Sequence, residues 1–346
     1  MTSTTKRIGW GLIGASNIAR QRVAGAIRRS SDGALVAIAS HDLKLARAFA
    51  KEFDIPRAHD TLAPLLSDPD VTAVYVSSTN QHHPRQVLAA AAAGMHVLCE
   101  KPLAITLEEA LEMAKACRTA GVILATNHHL RNAVTLRAMR EEVGRGAIGI
   151  PRAVFASHPA WVTDGDWRRT DADSGAGVCL DVLVHTADAV RFVLGHEPVE
   201  ACALGASSPL MPPGGAYDLI MATYSFEGGA LAQLYADFSA PHGRSRLEIH
   251  GTDGSLIGTD VLGKNPMHRG RVVRSEKGIE TEIAVESDES RYQRGIDRFH
   301  AAVRGQGEPA ASGVDGIRSL AMILAAEQAA ASGRTVPVSR AGLGFA

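Results

Sequence analysis

The sequence predicts two domains: a doubly wound parallel α/β sheet, then an α+β domain with an open, largely antiparallel sheet. Three observations carry that reading. The 346 residues are more than one ordinary core accommodates. Short apolar runs alternate with helical patterns through the first third, the signature of βαβ units. Beyond about Pro151 the alternation gives way to strand-like runs joined by turns. We expect residues 1–128 to form the first domain and 129–346 the second.

The elements follow in order. Residues 8–13 read as a strand and 18–29 as a helix, then 35–39 as a strand and 43–53 as a helix. A third strand, 71–76, lies between Asp-Pro-Asp and Ser-Ser-Thr-Asn. A helix over 84–93 leads to the strand 96–99. Thr106-Leu-Glu-Glu109 matches a capping box, which starts a helix that ends at Gly121. The strand 122–125 follows, and 132–149 is the expected connecting helix. In the second domain, strands are expected at 153–156, 219–226, 230–238 and 246–250. Residues 224–233, with Glu-Gly-Gly in the middle, read as a hairpin. Helices are expected at 182–194, 292–303 and 316–331. Right-handed crossovers align the strand ends of a parallel sheet along one edge, where ligands bind.

Composition narrows the function classes. Apolar residues make up 45%, charged residues 21%, and the net charge of -1 is interspersed. That excludes the basic patch of a nucleic-acid binder and a polybasic membrane arm. Residues 1–7 are polar and lack a signal peptide's apolar run. No stretch reaches the roughly 20 apolar residues of a membrane span. Cys99, Cys117, Cys179 and Cys202 are widely spaced, without a CxxC pair, so neither a disulfide framework nor a zinc knuckle is expected. A reducing cytoplasm is the expected location. Only seven of the 36 basic residues are lysine. A lysine at a special position is therefore informative, because lysine can deprotonate at usable pH and arginine cannot.

Between the first strand and first helix stands Gly11-Leu-Ile-Gly14-Ala15-Ser16-Asn17-Ile18-Ala19. A dinucleotide fingerprint needs a tight turn, close backbone approach to pyrophosphate and snug helix packing. Gly14 fits the first role, Ser16 replaces the second glycine and Ala19 the third. The helix N-terminal amides would hold the pyrophosphate. After the second strand comes Ser40-His41-Asp42-Leu-Lys44. A small polar residue followed by cations suits the 2′-phosphate of NADP(H), whereas an acidic residue there would favour NAD(H). Asp42 either takes that acidic role or, as the simpler reading, caps the next helix.

Glu100-Lys101-Pro102 places a charged pair at the C-terminal edge of a buried strand, on the cofactor rim. Asp181 and His185 stand four apart, on one helical face; the competing reading makes Asp181 a helix cap and His185 a packed side chain. At these residues the sequence is similar to the Gfo/Idh/MocA family of sugar oxidoreductases, through Glu100-Lys101-Pro102 and Gly175-Ala-Gly-Val-Cys-Leu-Asp181-Val-Leu-Val-His185. One group of reductases within that family also matches at Trp10-Gly-Leu-Ile-Gly-Ala-Ser16, Asn127-His-His-Leu-Arg-Asn132 and His250-Gly-Thr-Asp-Gly-Ser-Leu-Ile-Gly258. The resemblance implies a Rossmann domain followed by an open-sheet domain, and NADPH-dependent reduction of a ketone on a cyclic sugar. It further implies that Ser40, His41, Ser78, Thr79, Asn80, His83, Glu100, Lys101, Asn127, Trp167, Arg168 and Tyr292 line the cofactor. One departure is visible: Leu45 stands where the similar reductases carry an arginine, with Lys44 and Arg47 as the nearby cations.

Hydride transfer to a carbonyl carbon builds negative charge on oxygen and calls for a cation and a proton donor. Lys101 and His185 are the two donors expected, with Asp181 in support. The pairs His82-His83 and His128-His129 come without zinc-site spacing, so no metal is expected. His128 and His129 are expected to contact sugar hydroxyls, Arg131 to hydrogen-bond substrate and Trp161 to offer a stacking platform. Alternatives at this point are an NAD-dependent inositol or sugar dehydrogenase, a glycosidase using bound NAD, and a non-catalytic cofactor-binding sensor. Both a monomer and a homodimer through the C-terminal sheet are compatible with the sequence.

Overall fold

The computed structural model describes residues 7–209, 211, 216–263, 270–285 and 291–342. The chain divides into two compact units, residues 1–129 with 290–317 and residues 130–289 with 318–346.

In the first unit, β1 (Ile8–Ile13) is buried at every position, as a strand covered on both faces by helices must be. With β2 (Gly33–Ala39), β3 (Arg57–His59), β4 (Ala73–Val76), β5 (His96–Cys99) and β6 (Leu124–Thr126) it forms a sheet in the order β3-β2-β1-β4-β5-β6. Every pair in it is parallel. The chain starts in the middle, runs to one edge and crosses back, so the order reverses between β1 and β4. A crevice outside the carboxyl ends of those two strands is where such sheets bind ligands.

Local chemistry sets the helix starts. Asp42 caps the helix Leu43–Phe53 by accepting from the amides of Lys44 at 2.7 Å and Leu45 at 3.4 Å, so capping is what its carboxylate does. Thr106 and Glu109 form the reciprocal capping box of the helix Leu107–Thr119. The helix expected over 18–29 is divided: a π-helical stretch, Ala19–Val23, precedes the α-helix Ala24–Arg29. The strand β3 and the helix Leu62–Leu66 were not anticipated, because three and five residues are too short to show a period.

The helix Arg291–Val303, assigned from sequence to the second domain, belongs to the first unit. Ile296 and Phe299 join the core that includes Trp10, Leu12 and Phe49. Trp10 and Phe299 ring centroids lie 5.0 Å apart.

Among the described residues the second unit is built on nine strands: β7 (Pro151–Pro159), β8 (Pro198–Ala206), β9 (Leu219–Phe226), β10 (Leu231–Asp237), β11 (Arg246–Gly251), β12 (Ser255–Thr259), β13 (Arg271–Glu276), β14 (Ile279–Glu282) and β15 (Val336–Pro337). Their order is β14-β13-β12-β11-β7-β10-β9-β8-β15. Only β7 and β10 pair in parallel; the remaining pairs are antiparallel. The hairpin between β9 and β10 turns on Gly228 and Gly229, both at positive φ. In β7 the alternation turns Val154, Ala156 and His158 inward and leaves Phe155 exposed. The helix Val184–Leu194 is buried along nearly its whole length and packs against β7 and the helix Val134–Gly144. Among the described residues no helix is long and apolar enough to cross a membrane.

Candidate active site

The first unit offers a glycine turn and a polar rim at the switch between β1 and β4. Gly14, just after β1, has φ +101°. A Cβ there would stand 3.0 Å from the Ser78 amide nitrogen and 3.1 Å from the Ser77 carbonyl carbon, so only glycine lets the turn approach the end of β4. Its amide donates to the Ala39 carbonyl at 2.8 Å, fixing the turn against β2. Ser16 starts the helix: its Oγ accepts from the Ala19 amide at 3.1 Å and donates to Ser77 Oγ at 2.9 Å. This strand-to-helix turn, with Ala15, Asn17 and Ile18 between, fits the pyrophosphate of a dinucleotide. At the end of β2, Ser40 is buried and donates its amide to the His59 carbonyl at 3.1 Å, whereas His41 and Lys44 are exposed.

The rim after β4 and β5 is tightly organised. Glu100 Oε1 accepts from Tyr75 Oη and from Asn127 Nδ2, each at 2.5 Å. Burial, with the Glu100 carboxylate adding to it, raises the Tyr75 phenol well above its ordinary value, which keeps it a proton donor in this bond. The ring of Tyr292, on the helix Arg291–Val303, lies 4.8 Å from that of His129. Burial pushes the Tyr292 phenol up to about 12, with Glu100 adding to the rise against the pull of Arg291. Glu100, Asn127, His129 and Tyr292 therefore converge in this unit. Lys101 follows Glu100 directly and is half-buried. Ser78 Oγ bonds Gln86 Oε1 at 2.7 Å, while Thr79 precedes a 3-10 turn that opens on buried Asn80.

His83 corrects an expectation. It is fully buried, with Nδ1 3.0 Å from the Pro102 carbonyl and Nε2 3.1 Å from the Ser78 carbonyl. The ring ties two rim loops together instead of facing a cofactor.

The second unit carries Asp181 and His185. Asp181 lies within the π-helical stretch Cys179–Leu183 and is no helix cap; His185 is in the first turn of the helix that continues it. A π-bulge widens the turn and re-aims side chains, and such bulges recur at functional sites. Asp181 Oδ2 lies 3.2 Å from Arg168 Nε, and Arg168 also meets Asp166 Oδ1 at 3.2 Å. Burial opposes the charge on Arg168, but Asp181 and Asp166 outweigh it and raise its pKa. The guanidinium lies over the Trp167 ring at 4.7 Å. Arg168 thus belongs, within this unit, to the support of Asp181.

His158, at the inward end of β7, was missed. Its ring centroid is 6.1 Å from that of His185, and its Nδ1 is 3.4 Å from Thr186 Oγ1. His158, Asp181, His185 and Trp161 line one cleft of about 610 Å³. The period-2 pattern of β7 carries the signal: His158 continues the inward row of Val154 and Ala156. Trp161 is 56% exposed, open to a flat ligand.

Arg131 is the second correction. It is buried and forks onto Asp188, Nε to Oδ2 at 2.9 Å and Nη2 to Oδ1 at 2.7 Å, with its guanidinium 5.4 Å over the Phe192 ring. This ion pair packs the segment after His129 onto the helix Val184–Leu194, so Arg131 is a structural side chain. His128 is buried with His129 in the turn after β6, its amide 2.7 Å from the Thr126 carbonyl.

The parallel sheet with a glycine turn at its switch point and the antiparallel sheet with an Asp-His cleft define a two-domain dinucleotide enzyme. Residues 8–128 match the oxidoreductase family with an NAD-binding Rossmann fold, and residues 136–257 match the Gfo/Idh/MocA C-terminal domain. The chain belongs to the Gfo/Idh/MocA family of oxidoreductases. It is 43% identical over 331 residues to the 1,5-anhydro-D-fructose reductase of Ensifer adhaerens, which covers 95% of this chain and 98% of that one. It is 27% identical over 320 residues to myo-inositol 2-dehydrogenase of Thermotoga maritima, 90% and 92% of the two chains. The aldose-aldose oxidoreductase of Caulobacter crescentus, solved with glycerol, has the same fold at TM-score 0.88 and 24% identity, over 96% of this chain and 100% of that one.

Proposed function

We propose that the protein reduces a ketone on a cyclic sugar of the 1,5-anhydrofructose type, with NADPH as the reductant. The observation that carries this reading is the match to 1,5-anhydro-D-fructose reductase across nearly all of both chains. The residues on which the chemistry depends stand within it. Gly14 and the helix behind it fit the pyrophosphate, and Ser40 with Lys44 and Arg47 suits a 2′-phosphate better than a carboxylate would. NADPH, when bound, supplies the hydride that attacks the carbonyl carbon.

The chain's own residues then act on the carbonyl oxygen. Lys101 offers a cation that stabilises the growing negative charge. His185 donates the proton that completes the alcohol, and Asp181 orients a substrate hydroxyl or the imidazole. Arg168 holds the Asp181 carboxylate in place. Glu100, fixed by Tyr75 and Asn127, sets the position of the backbone that carries Lys101. We also assign the outer face of the nine-stranded sheet to a second copy of the chain: Leu204 and Met221 are register partners there, 77% and 50% exposed.

The test is a fluorescence titration with NADPH and NADH, followed by an absorbance assay over a panel of sugar ketones that includes 1,5-anhydrofructose. NADPH oxidation on that ketone supports the reading. Turnover confined to the oxidation of an inositol or an aldose overturns it in favour of a dehydrogenase.

A further inference from the structure

The cleft that holds Asp181 and His185 is larger than the ring that a simple sugar ketone would bring. A pyranose displaces roughly six waters, about 180 Å³ at about 30 Å³ each. The cleft measures about 610 Å³, within the roughly 300–1,000 Å³ of small-molecule sites and well above the volume of one such ring. Its wall has three parts. His158 comes from the end of β7, and Asp181, Val182 and His185 come from one helical stretch; Trp161, His242, Arg244 and Asp260 come from loops at the strand ends and are not needed by the reduction described above.

Within the loop-built wall, Asp260 is held by a local bond network, and its pairing with Arg244 leaves that part of the wall close to neutral. Asp260 sits at φ +56°, a left-handed conformation that L side chains rarely adopt. Its amide donates to the Ser245 carbonyl at 2.7 Å, and Ser245 Oγ accepts from the amides of Leu262 and Gly263, each at 3.1 Å. So held, the Asp260 carboxylate takes Arg244 Nε at 3.2 and 3.1 Å and also bonds its Nη2. Arg244 therefore presents donors whose charge is already neutralised. Beside it Trp161 offers an exposed indole face. A flat, half-apolar ring carrying hydroxyls matches that combination: the indole stacks on its C–H face and the paired guanidinium meets its oxygens. An anionic substituent would find no uncompensated cation on Arg244.

We propose that Trp161, His242 and the Arg244–Asp260 pair form a subsite for a second sugar ring, so that the preferred substrate is a glycosylated sugar ketone and not the bare monosaccharide. This inference rests on the reductase reading and deepens it by naming the substrate class.

The experiment compares, on the enzyme with NADPH, a 1,5-anhydroketose, its O-glucosyl derivative and its phosphate ester. Wild-type enzyme should show a KM for the glucosyl ketone lower by about tenfold than for the parent, with the phosphate ester no better than the parent. Trp161→Ala and Arg244→Gln should each erase most of that ratio, whatever they do to the parent reaction. Equal KM values for parent and glucosyl ketone, a preference for the phosphate ester, or a ratio unmoved by both variants would overturn the subsite while leaving the reductase reading intact. If no ketone oxidises NADPH, that reading fails. Calorimetric titration with the glucosylated anhydrohexitol then decides the subsite: saturable binding weakened in Arg244→Gln supports it, and no heat of binding overturns it.

Discussion

Trp10 Nε1 donates to His300 Nε2 across 2.9 Å, joining β1 to a helix 290 residues later in the chain. Because Nε2 accepts, the imidazole carries its proton on Nδ1, which faces Ser30 Oγ at 3.1 Å. Ser30 Oγ in turn donates to Asp297 Oδ1 at 2.8 Å. The helix Arg291–Val303 brings Tyr292 to the Glu100 rim, and this chain of bonds helps seat that helix on the first unit.

The Trp10–His300 bond gives the fold an acid sensitivity. Burial lowers the His300 pKa below its ordinary 6.5, against the opposing pull of Asp297 and Asp32. A depressed folded pKa means that the stabilisation is complete above 6.5 and is lost as pH falls through the folded value. His300→Gln should cost about 1 kcal/mol at neutral pH and flatten the fall of melting temperature between about pH 7 and 5. Parallel pH profiles in wild type and variant would remove His300 from that role.

Lys101→Ala and His185→Ala should each lower kcat by roughly 10²–10⁴ while leaving the circular dichroism spectrum and melting temperature close to wild type. Near-wild-type turnover in either variant excludes that residue from the chemistry. A pH–rate profile that loses one limb in His185→Ala would assign that limb to the imidazole.

Ser40→Asp should move the ratio of NADPH to NADH kcat/KM towards NADH by about tenfold or more, because a carboxylate at the end of β2 accepts from a 2′-hydroxyl and repels a 2′-phosphate. An unchanged ratio would mean that the adenosine ribose lies elsewhere.

Glu327 is the second titrating group with a stability consequence. Burial pushes its carboxyl up to about 7, although the residue as a whole keeps some solvent contact; a hydrogen bond with Cys179 works against the rise. A raised carboxyl pKa stabilises the fold fully below about 4.5 and loses that contribution as pH rises through about 7. Glu327→Gln, which stays neutral, should be more stable than wild type by about 1–3 kcal/mol above pH 7. The difference should vanish in acid, and denaturant melts at two pH values measure it.

The exposed row on the nine-stranded sheet predicts self-association. Met221→Lys should shift the sedimentation coefficient towards the monomer and leave the melting temperature of the monomer unaltered. A wild-type chain that already sediments as a monomer at micromolar concentration would remove the assignment.

Every strand of the first unit except β3 was legible because it is a short apolar run closed by a turn, whereas β3 is three residues with one apolar side chain; the caps at Asp42 and Thr106 were legible because they are local. His158 was legible in principle, from the inward row of β7, but a lone histidine at a strand end carries no motif. The same holds for the π-bulge at Cys179–Leu183: Asp181 and His185 were found by their spacing, whereas the extra residue per turn that aims Asp181 at Arg168 leaves no mark on the pattern.

Features that depend on neighbours in the chain could be read before folding: the parallel and antiparallel halves, the glycine turn at Gly14, the Glu100-Lys101 segment at a strand end and the four-residue spacing of Asp181 and His185. Where distant partners go was settled on assembly. Assembly gave Arg131 to Asp188, closed His83 between Pro102 and Ser78, returned the helix Arg291–Val303 to Trp10, and set Arg244 and Asp260 beside Trp161 in one cleft. A buried polar group must find a partner, and the choice is made by whichever group packing brings within hydrogen-bond reach. Local propensity fixes the elements; that choice of partner is fixed only when they assemble.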